Sequence, residues 1–137
     1  MNKLLLLFVL TLNFASCQLP GGKTNNDADT ATKENQISAL LEPKEFLAKF
    51  KATKDAQLVD VRTPEEVAEG AIEGAQNINF YDADFKDKLS KLDKNKAIFV
   101  YCRSGGRSGK CAQICKEIGF KEVYDMKGGW LSYSSQK

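Results

Sequence analysis

Histidine is absent from this sequence of 137 residues. Its absence excludes Ser-His-Asp triads, Cys-His pairs, histidine general bases and zinc sites with histidine ligands within the chain. A strong excess of one charge is also missing, because 20 Lys and Arg face 18 Asp and Glu, for a formal net charge of +2. Nucleic-acid binding normally needs concentrated positive charge. We therefore expect no nucleic-acid partner, no metal and no cofactor, and catalysis must use cysteine, carboxylate, lysine, arginine or backbone groups.

The sequence also lacks an apolar run long enough to span a bilayer. The mainly apolar segment from Leu4 to Leu12 follows Lys3 and is typical of a signal peptide, here residues 1–16. Small residues directly before Cys17 resemble a lipobox, although Phe14 is an imperfect first position. We expect lipidation of Cys17 and attachment to the periplasmic face of a bacterial membrane through that lipid alone. The alternative is a soluble periplasmic or secreted protein.

Residues 17–35 contain few large apolar side chains and predict a flexible tether that follows the anchor cysteine. From residue 36 to residue 137, β-rich runs alternate with helical patterns. This alternation indicates one α/β domain with a mostly parallel sheet of about five strands and helices on both faces. The predicted strands are Ile37–Leu41, Gln57–Val61, Ala75–Asn79, Ala97–Tyr101 and Glu122–Tyr124. The predicted helices begin at Pro43, after the capping-box residue Thr63, at Asp84, at Arg107 and near Trp130.

The most apolar strand runs directly into the segment Cys102-Arg103-Ser104-Gly105-Gly106-Arg107-Ser108, the Cys102 loop. At the carboxyl end of a parallel strand, the following helix presents free N–H groups and a partial positive charge. Gly105 and Gly106 permit positive φ, so the N–H groups of residues 103–107 can surround the sulfur. Cys102 is thus the predicted nucleophile, held as a thiolate, with Arg103 and Arg107 binding an anionic substrate. The alternative is a glycine turn with a buried cysteine and two solvated arginines.

Four separated motifs resemble those of single-domain rhodaneses, which are thiosulfate sulfurtransferases, and the likeness extends from about Ile37 to the end of the chain. The motifs are Leu58–Glu66, Glu69–Ile78, the Cys102 loop and Met126–Trp130. Among rhodaneses, the sequence is most similar to periplasmic rhodanese-like lipoproteins. The resemblance implies a rhodanese-like fold. It also implies that Cys102 takes the outer sulfur of thiosulfate, forms a persulfide, and passes the sulfur to a thiol or a cyanide-like acceptor.

Other functions compatible with this loop are a persulfide relay to a partner protein, a non-enzymatic binding module, and a phosphatase or arsenate reductase. Four residues separate Cys102 from Arg107, as in rhodaneses, whereas the related phosphatases and arsenate reductases have five. Ser104 is either a donor to the sulfur or a turn residue, and Ser108 is either a donor or a helix cap. We expect a monomer.

Residues outside the loop are assigned mainly structural roles. Asp60, Arg62 and Glu66 are predicted to support the fold, with Arg62 pairing with Glu66. Ala71 stands where rhodaneses commonly have histidine, so a polar contact near the interior is predicted to be missing. We expect Cys111 and Cys115 to lie in the core, and the alternative is that one of them acts as a resolving thiol. We expect Trp130 and Tyr133 to pack against the sheet rather than to line the site.

Overall fold

The computed structural model describes residues 35–137. The predicted signal peptide, the lipidation of Cys17 and the tether lie outside these residues, apart from the tether's last residue. The chain forms β1 (Ile37–Leu41), α1 (Pro43–Ala52), β2 (Gln57–Asp60), α2 (Pro64–Ala68), β3 (Gln76–Asn77), α3 (Phe85–Ser90), β4 (Ile98–Tyr101), α4 (Gly106–Glu117), β5 (Glu122–Met126) and α5 (Gly129–Ser134). None of these helices is long and apolar enough to cross a membrane.

The five strands form one sheet in the order β1-β5-β4-β2-β3, and every neighbouring pair is parallel. Strand β4 occupies the centre, and all four of its residues are buried. Continuous burial is typical of a parallel strand that is covered on both faces. Because the strands are parallel, the carboxyl ends of β2, β4 and β5 lie at the same end of the sheet. Ligands bind at that end in such folds.

Two apolar clusters cover the two faces of the sheet. Phe85 and Leu89 of α3 join Cys111 and Cys115 of α4 in one cluster. The opposite cluster is built around Phe46 of α1 and is extended by partly buried side chains of α1 and α5. The predicted α/β fold, with a parallel sheet of five strands and helices on both faces, is confirmed.

The main differences from the sequence prediction lie at the ends of elements. Strand β3 is only two residues long, although the Ile78 and Phe80 N–H groups beyond it still donate to the carbonyl oxygens of Asp60 and Val61. Strand β5 extends beyond its predicted end, because pairing with β1 continues to Leu41 opposite Met126. Helix α3 is shorter than predicted, and α4 begins one residue earlier, at Gly106.

Candidate active site

The Cys102 loop leaves the central strand β4 and leads into α4, as the sequence predicted. Cys102 follows β4 directly, and only 1% of its surface is exposed. Gly105 precedes α4 with φ of 102°, a left-handed conformation that glycine adopts at little cost. Gly106 is the first residue of the helix and does not have positive φ. The reversal at Gly105 is therefore what turns the backbone around the sulfur.

Hydrogen bonds to the Cys102 sulfur favour its ionised form. The Gly105 N–H donates to Sγ at 3.1 Å. Burial alone would raise the pKa of the Cys102 thiol, but the hydroxyl of Ser108 and the N–H groups of Ser108, Gly105 and Ser104 outweigh it, so the pKa is lowered. A lowered pKa increases the thiolate fraction, which is the nucleophilic form.

The two serines of the loop occupy different environments. Ser104 is exposed, and its backbone N–H faces the sulfur. Ser108 is fully buried inside the first turn of α4, and its hydroxyl lies 3.2 Å from the carbonyl oxygen of Gly105. The prediction of Ser108 as a helix cap is wrong, because Gly105 is the N-cap and has no side chain to supply a cap. The Ser108 hydroxyl donates to the Gly105 carbonyl oxygen, and it also helps to lower the pKa of Cys102, as its alternative role requires.

Helix α5 holds the Cys102 loop from behind. The Trp130 N–H donates to the Cys102 carbonyl oxygen at 2.8 Å, and the Leu131 N–H donates to the Arg103 carbonyl oxygen at 3.0 Å. Gly129 allows this approach, since a Cβ there would lie 2.3 Å from the Cys102 oxygen. The Trp130 and Tyr133 rings contact each other and pack against the α1 face of the sheet, as expected. The backbone role of residues 129–131 was missed, although the Gly128-Gly129 pair signals it.

Arg62 is buried and pairs with Asp60. Its Nη2 lies 2.6 Å from Asp60 Oδ2, and both side chains are 1% exposed. The guanidinium also donates to the carbonyl oxygens of Glu66 and Gly70 at 2.9 and 2.7 Å, and it lies 4.5 Å from the centre of the Trp130 ring. The predicted ion pair between Arg62 and Glu66 is therefore wrong. Asp60 is two residues away on the same face of the chain, so its carboxylate reaches the guanidinium first.

The Glu66 carboxylate instead binds Arg107. The two guanidinium–carboxylate distances are 2.6 and 2.7 Å, which makes the pair bidentate. Glu66 is placed by the predicted capping box, in which its carboxylate accepts from the Thr63 N–H and the Thr63 hydroxyl accepts from the Glu66 N–H. Arg107 was predicted to bind an anionic substrate, but its charge is already paired here. Arg103 is exposed and forms no ion pair within residues 35–137, so it is the arginine available to an anion.

We expect the Glu66→Gln substitution to give a pH-dependent loss of stability. The hydrogen bond from Arg107 lowers the pKa of Glu66 to about 2, so this carboxylate stabilises the fold above the ordinary pKa near 4.5 and loses that effect as the pH falls towards 2. The carboxylate is partly exposed, which reduces the expected loss at pH 7 to about 1 kcal/mol. Urea unfolding at pH 7 and pH 3 should show a smaller difference between variant and wild type at pH 3. An equal difference at both values would contradict the assignment.

The remaining predicted residues lie outside the immediate surroundings of the sulfur. Cys111 and Cys115 are buried with their sulfurs 3.9 Å apart and are not joined by a disulfide, so their placement in the core is confirmed. Their mutual hydrogen bond and burial raise the pKa of the Cys111 thiol. Ala71 is exposed, and the missing polar contact at this position stays a prediction. No group of three potential metal ligands occurs within residues 35–137.

Comparisons with known proteins identify the family of the domain. The model of the rhodanese-like domain matches residues 42–136. The chain is 33% identical over 103 residues to YqhL of Bacillus subtilis, covering 75% of this chain and 78% of that protein. A protein of Allochromatium vinosum named as a sulfurtransferase is 32% identical over 82 residues, covering 60% of this chain and 75% of the relative. A rhodanese-like domain protein from Staphylococcus aureus has a solved structure that superposes with a TM-score of 0.61 at 30% identity, covering 72% and 91% of the two chains.

Proposed function

Because the chain belongs to the family of rhodanese-like domains, we propose that it is a sulfurtransferase that carries sulfane sulfur on Cys102. The donor is thiosulfate or a similar small anion, and the acceptor is a thiol or cyanide-like nucleophile. One observation carries the proposal: the buried Cys102 sulfur accepts a hydrogen bond from the Gly105 N–H at 3.1 Å at the start of α4, where loop donors lower its pKa. The sulfurtransferase name of the Allochromatium vinosum relative supports the same reaction class.

In the first step, the Cys102 thiolate attacks the outer sulfur of thiosulfate. A bond forms between Sγ and that sulfur, the sulfur–sulfur bond of thiosulfate breaks, and its electron pair leaves on sulfite. Arg103 is exposed at the loop and attracts the dianion, while the N–H groups that face Sγ stabilise the persulfide anion that results. Arg107, held by Glu66, supports the loop and adds positive potential near the sulfur.

In the second step, the acceptor attacks the outer sulfur of the persulfide. The bond between Sγ and the outer sulfur breaks, and its electron pair returns to Sγ as the thiolate. The hydrogen bonds that stabilise the resting thiolate also stabilise it as a leaving group, because they are directed at the same atom before and after transfer. The reaction thus requires no group beyond those that the Cys102 loop presents.

The predicted lipid anchor adds a location to this proposal. Lipid on Cys17 would hold the domain on the periplasmic face of a bacterial membrane, where it would meet small anionic sulfur donors. Eighteen residues from Gln18 to Asn35 lie between Cys17 and the first residue of the predicted domain. Labelling cells with a radioactive or clickable fatty acid should mark the wild type and leave Cys17→Ser unmarked. An unmarked wild type would favour the soluble exported form.

Mass spectrometry of the intact, reduced protein tests the sulfur carrier directly. After incubation with thiosulfate, we expect the wild type to gain the mass of one sulfur atom and to lose it again with cyanide. Cys102→Ser should show no gain, whereas Cys111→Ser and Cys115→Ser are matched controls that remove buried thiols and should keep it. No gain in a wild type whose Cys102 is still selectively alkylated at low pH would overturn the thiosulfate reaction.

A further inference from the structure

A buried carboxyl group lies behind the Cys102 loop without full hydrogen bonding. Asp125 is in β5 and is 8% exposed. Its Oδ1 has no hydrogen-bond partner, and no lysine or arginine within residues 35–137 forms an ion pair with it. Burial raises the pKa of this carboxyl to about 6, against weaker effects of the Ser108 hydroxyl and the Met126 N–H. An unpaired buried carboxylate is costly, so its retention calls for a physical explanation.

Few of the groups around Asp125 are polar enough to be affected by its charge. The neighbouring strands place Leu40 of β1 and Val100 of β4 beside it, and both are apolar. From α4 it is faced by the Ser108 hydroxyl, by the Gly109 backbone and by the Cys111 thiol. The pKa of Cys111 is raised, so that thiol stays neutral. Ser108 is therefore the polar side chain through which Asp125 can influence another group.

Ser108 has one hydroxyl proton and three neighbouring acceptors. The hydroxyl donates to the Gly105 carbonyl oxygen at 3.2 Å, and the same hydroxyl lowers the pKa of both the Cys102 thiol and the Asp125 carboxyl, the other two acceptors. A hydroxyl donates one hydrogen bond at a time, so the acceptors compete. An ionised Asp125 attracts that proton more strongly than a neutral one, whereas a protonated Asp125 can itself donate to the Ser108 oxygen.

We propose that Asp125 is a positioning residue that controls, through Ser108, how strongly the Cys102 sulfur is stabilised as an anion. With Asp125 protonated, its O–H donates to Ser108, and the Ser108 O–H donates to the thiolate. With Asp125 ionised, the Ser108 proton turns to the carboxylate, and the sulfur loses a donor. The two arrangements differ by the one proton on Asp125, which is exchanged with solvent as the pH changes, and sulfur transfer itself moves no proton along these three groups. The link to catalysis depends on the proposed function, but the coupling of the three groups does not.

The rate of iodoacetamide alkylation of Cys102 as a function of pH measures this coupling. Wild type should show two inflections, one of them near pH 6 from Asp125. Asp125→Asn keeps the shape and can donate to Ser108 without charge, so we expect a single inflection and a thiol pKa lower by about one unit. Ser108→Ala should raise the thiol pKa, and adding Asp125→Asn to it should shift the value much less. An unchanged profile in Asp125→Asn, or an equal shift without Ser108, would overturn the proposal.

Two further measurements separate this coupling from other effects. Asp87→Asn removes the same charge from an exposed site on α3 and should leave the alkylation profile unchanged. Carboxyl ¹³C NMR follows Asp125 itself, and its titration midpoint should fall in Cys102→Ser, because the carboxylate no longer competes with a thiolate for Ser108. An unchanged midpoint would refute the coupling. Neither measurement needs sulfur transfer, so a failed persulfide experiment would leave this result standing and would overturn only the proposed reaction.

Discussion

Replacing Arg62 by methionine is expected to destabilise the protein by about 3 to 5 kcal/mol, the usual effect of removing one partner of a buried ion pair. The substitution leaves the Asp60 carboxylate buried without a counter-charge, since both side chains are only 1% exposed. It also removes donors from the Glu66 and Gly70 carbonyl oxygens. Methionine preserves most of the side-chain volume, so the decrease in the free energy of unfolding reflects the missing charge and hydrogen bonds. Urea unfolding at pH 7 measures it.

A double-mutant cycle identifies the cause of that loss. Adding Asp60→Asn to Arg62→Met removes the uncompensated charge, so we expect the pair of changes to cost less than the sum of the single ones. Lys88→Met is the matched control, because Lys88 forms an ion pair of similar length, 2.7 Å, with the more exposed Asp82. That control should cost at most about 1 kcal/mol. Equal losses for Arg62→Met and Lys88→Met would show that the burial of Arg62 contributes nothing.

Arg62 also connects two distant parts of the chain behind the site. Its guanidinium holds the Gly70 carbonyl oxygen and lies under the Trp130 ring. The Trp130 N–H in turn holds the Cys102 carbonyl oxygen. The segment after β2 that contains Gly70 and the closing Gly128-Gly129-Trp130 motif therefore both contact the buried Arg62 guanidinium, and both support Cys102. This arrangement gives the supporting residues a physical role that does not require contact with substrate.

The elements of the fold were predictable because their signals are local. The apolar run of β4 and the Thr63 capping box are each written in a few consecutive residues, and the structure has both. The strand–loop–helix junction at Cys102 was predictable for the same reason. In contrast, Glu66 and Arg107 are 41 residues apart, and the partner that each arginine takes depends on how β2, α2 and α4 are placed in space. The sequence therefore indicated the charged residues correctly and one of their pairings wrongly.

The burial of Asp125 was equally inaccessible to sequence reasoning. An aspartate near the end of a short strand is ordinarily read as solvent-exposed, because carboxylates are seldom buried. Here β1 pairs along the whole of β5, with Leu40 opposite Asp125, so the strand lies inside the sheet rather than at its edge. The register of that pairing, together with the position of α4 above it, places the carboxyl beside Ser108. Neither is encoded in the neighbouring residues alone.

Replacing Gly129 by alanine is expected to displace the Cys102 loop. Gly129 has φ of 55°, and an added Cβ would lie 2.3 Å from the Cys102 carbonyl oxygen and 2.8 Å from that of Arg103. Both obstacles are backbone atoms, so they cannot move aside as a flexible side chain would. Separating α5 from the loop breaks the hydrogen bonds from Trp130 and Leu131. We expect a loss of about 3 kcal/mol or more and persulfide formation roughly 100-fold slower, the effect of a displacement near 1 Å.

Gly74→Ala separates this steric effect from the cost of a left-handed alanine. Gly74 also has positive φ, 82°, but nothing lies within 4 Å of an added Cβ. Its substitution should therefore cost only the conformational energy, about 1 to 2 kcal/mol, and leave the rate of persulfide formation unchanged. Urea unfolding and the time course of the mass gain with thiosulfate measure both variants. If Gly129→Ala were no more harmful than Gly74→Ala in either measurement, the close approach of α5 to Cys102 would not be what fixes the sulfur in place.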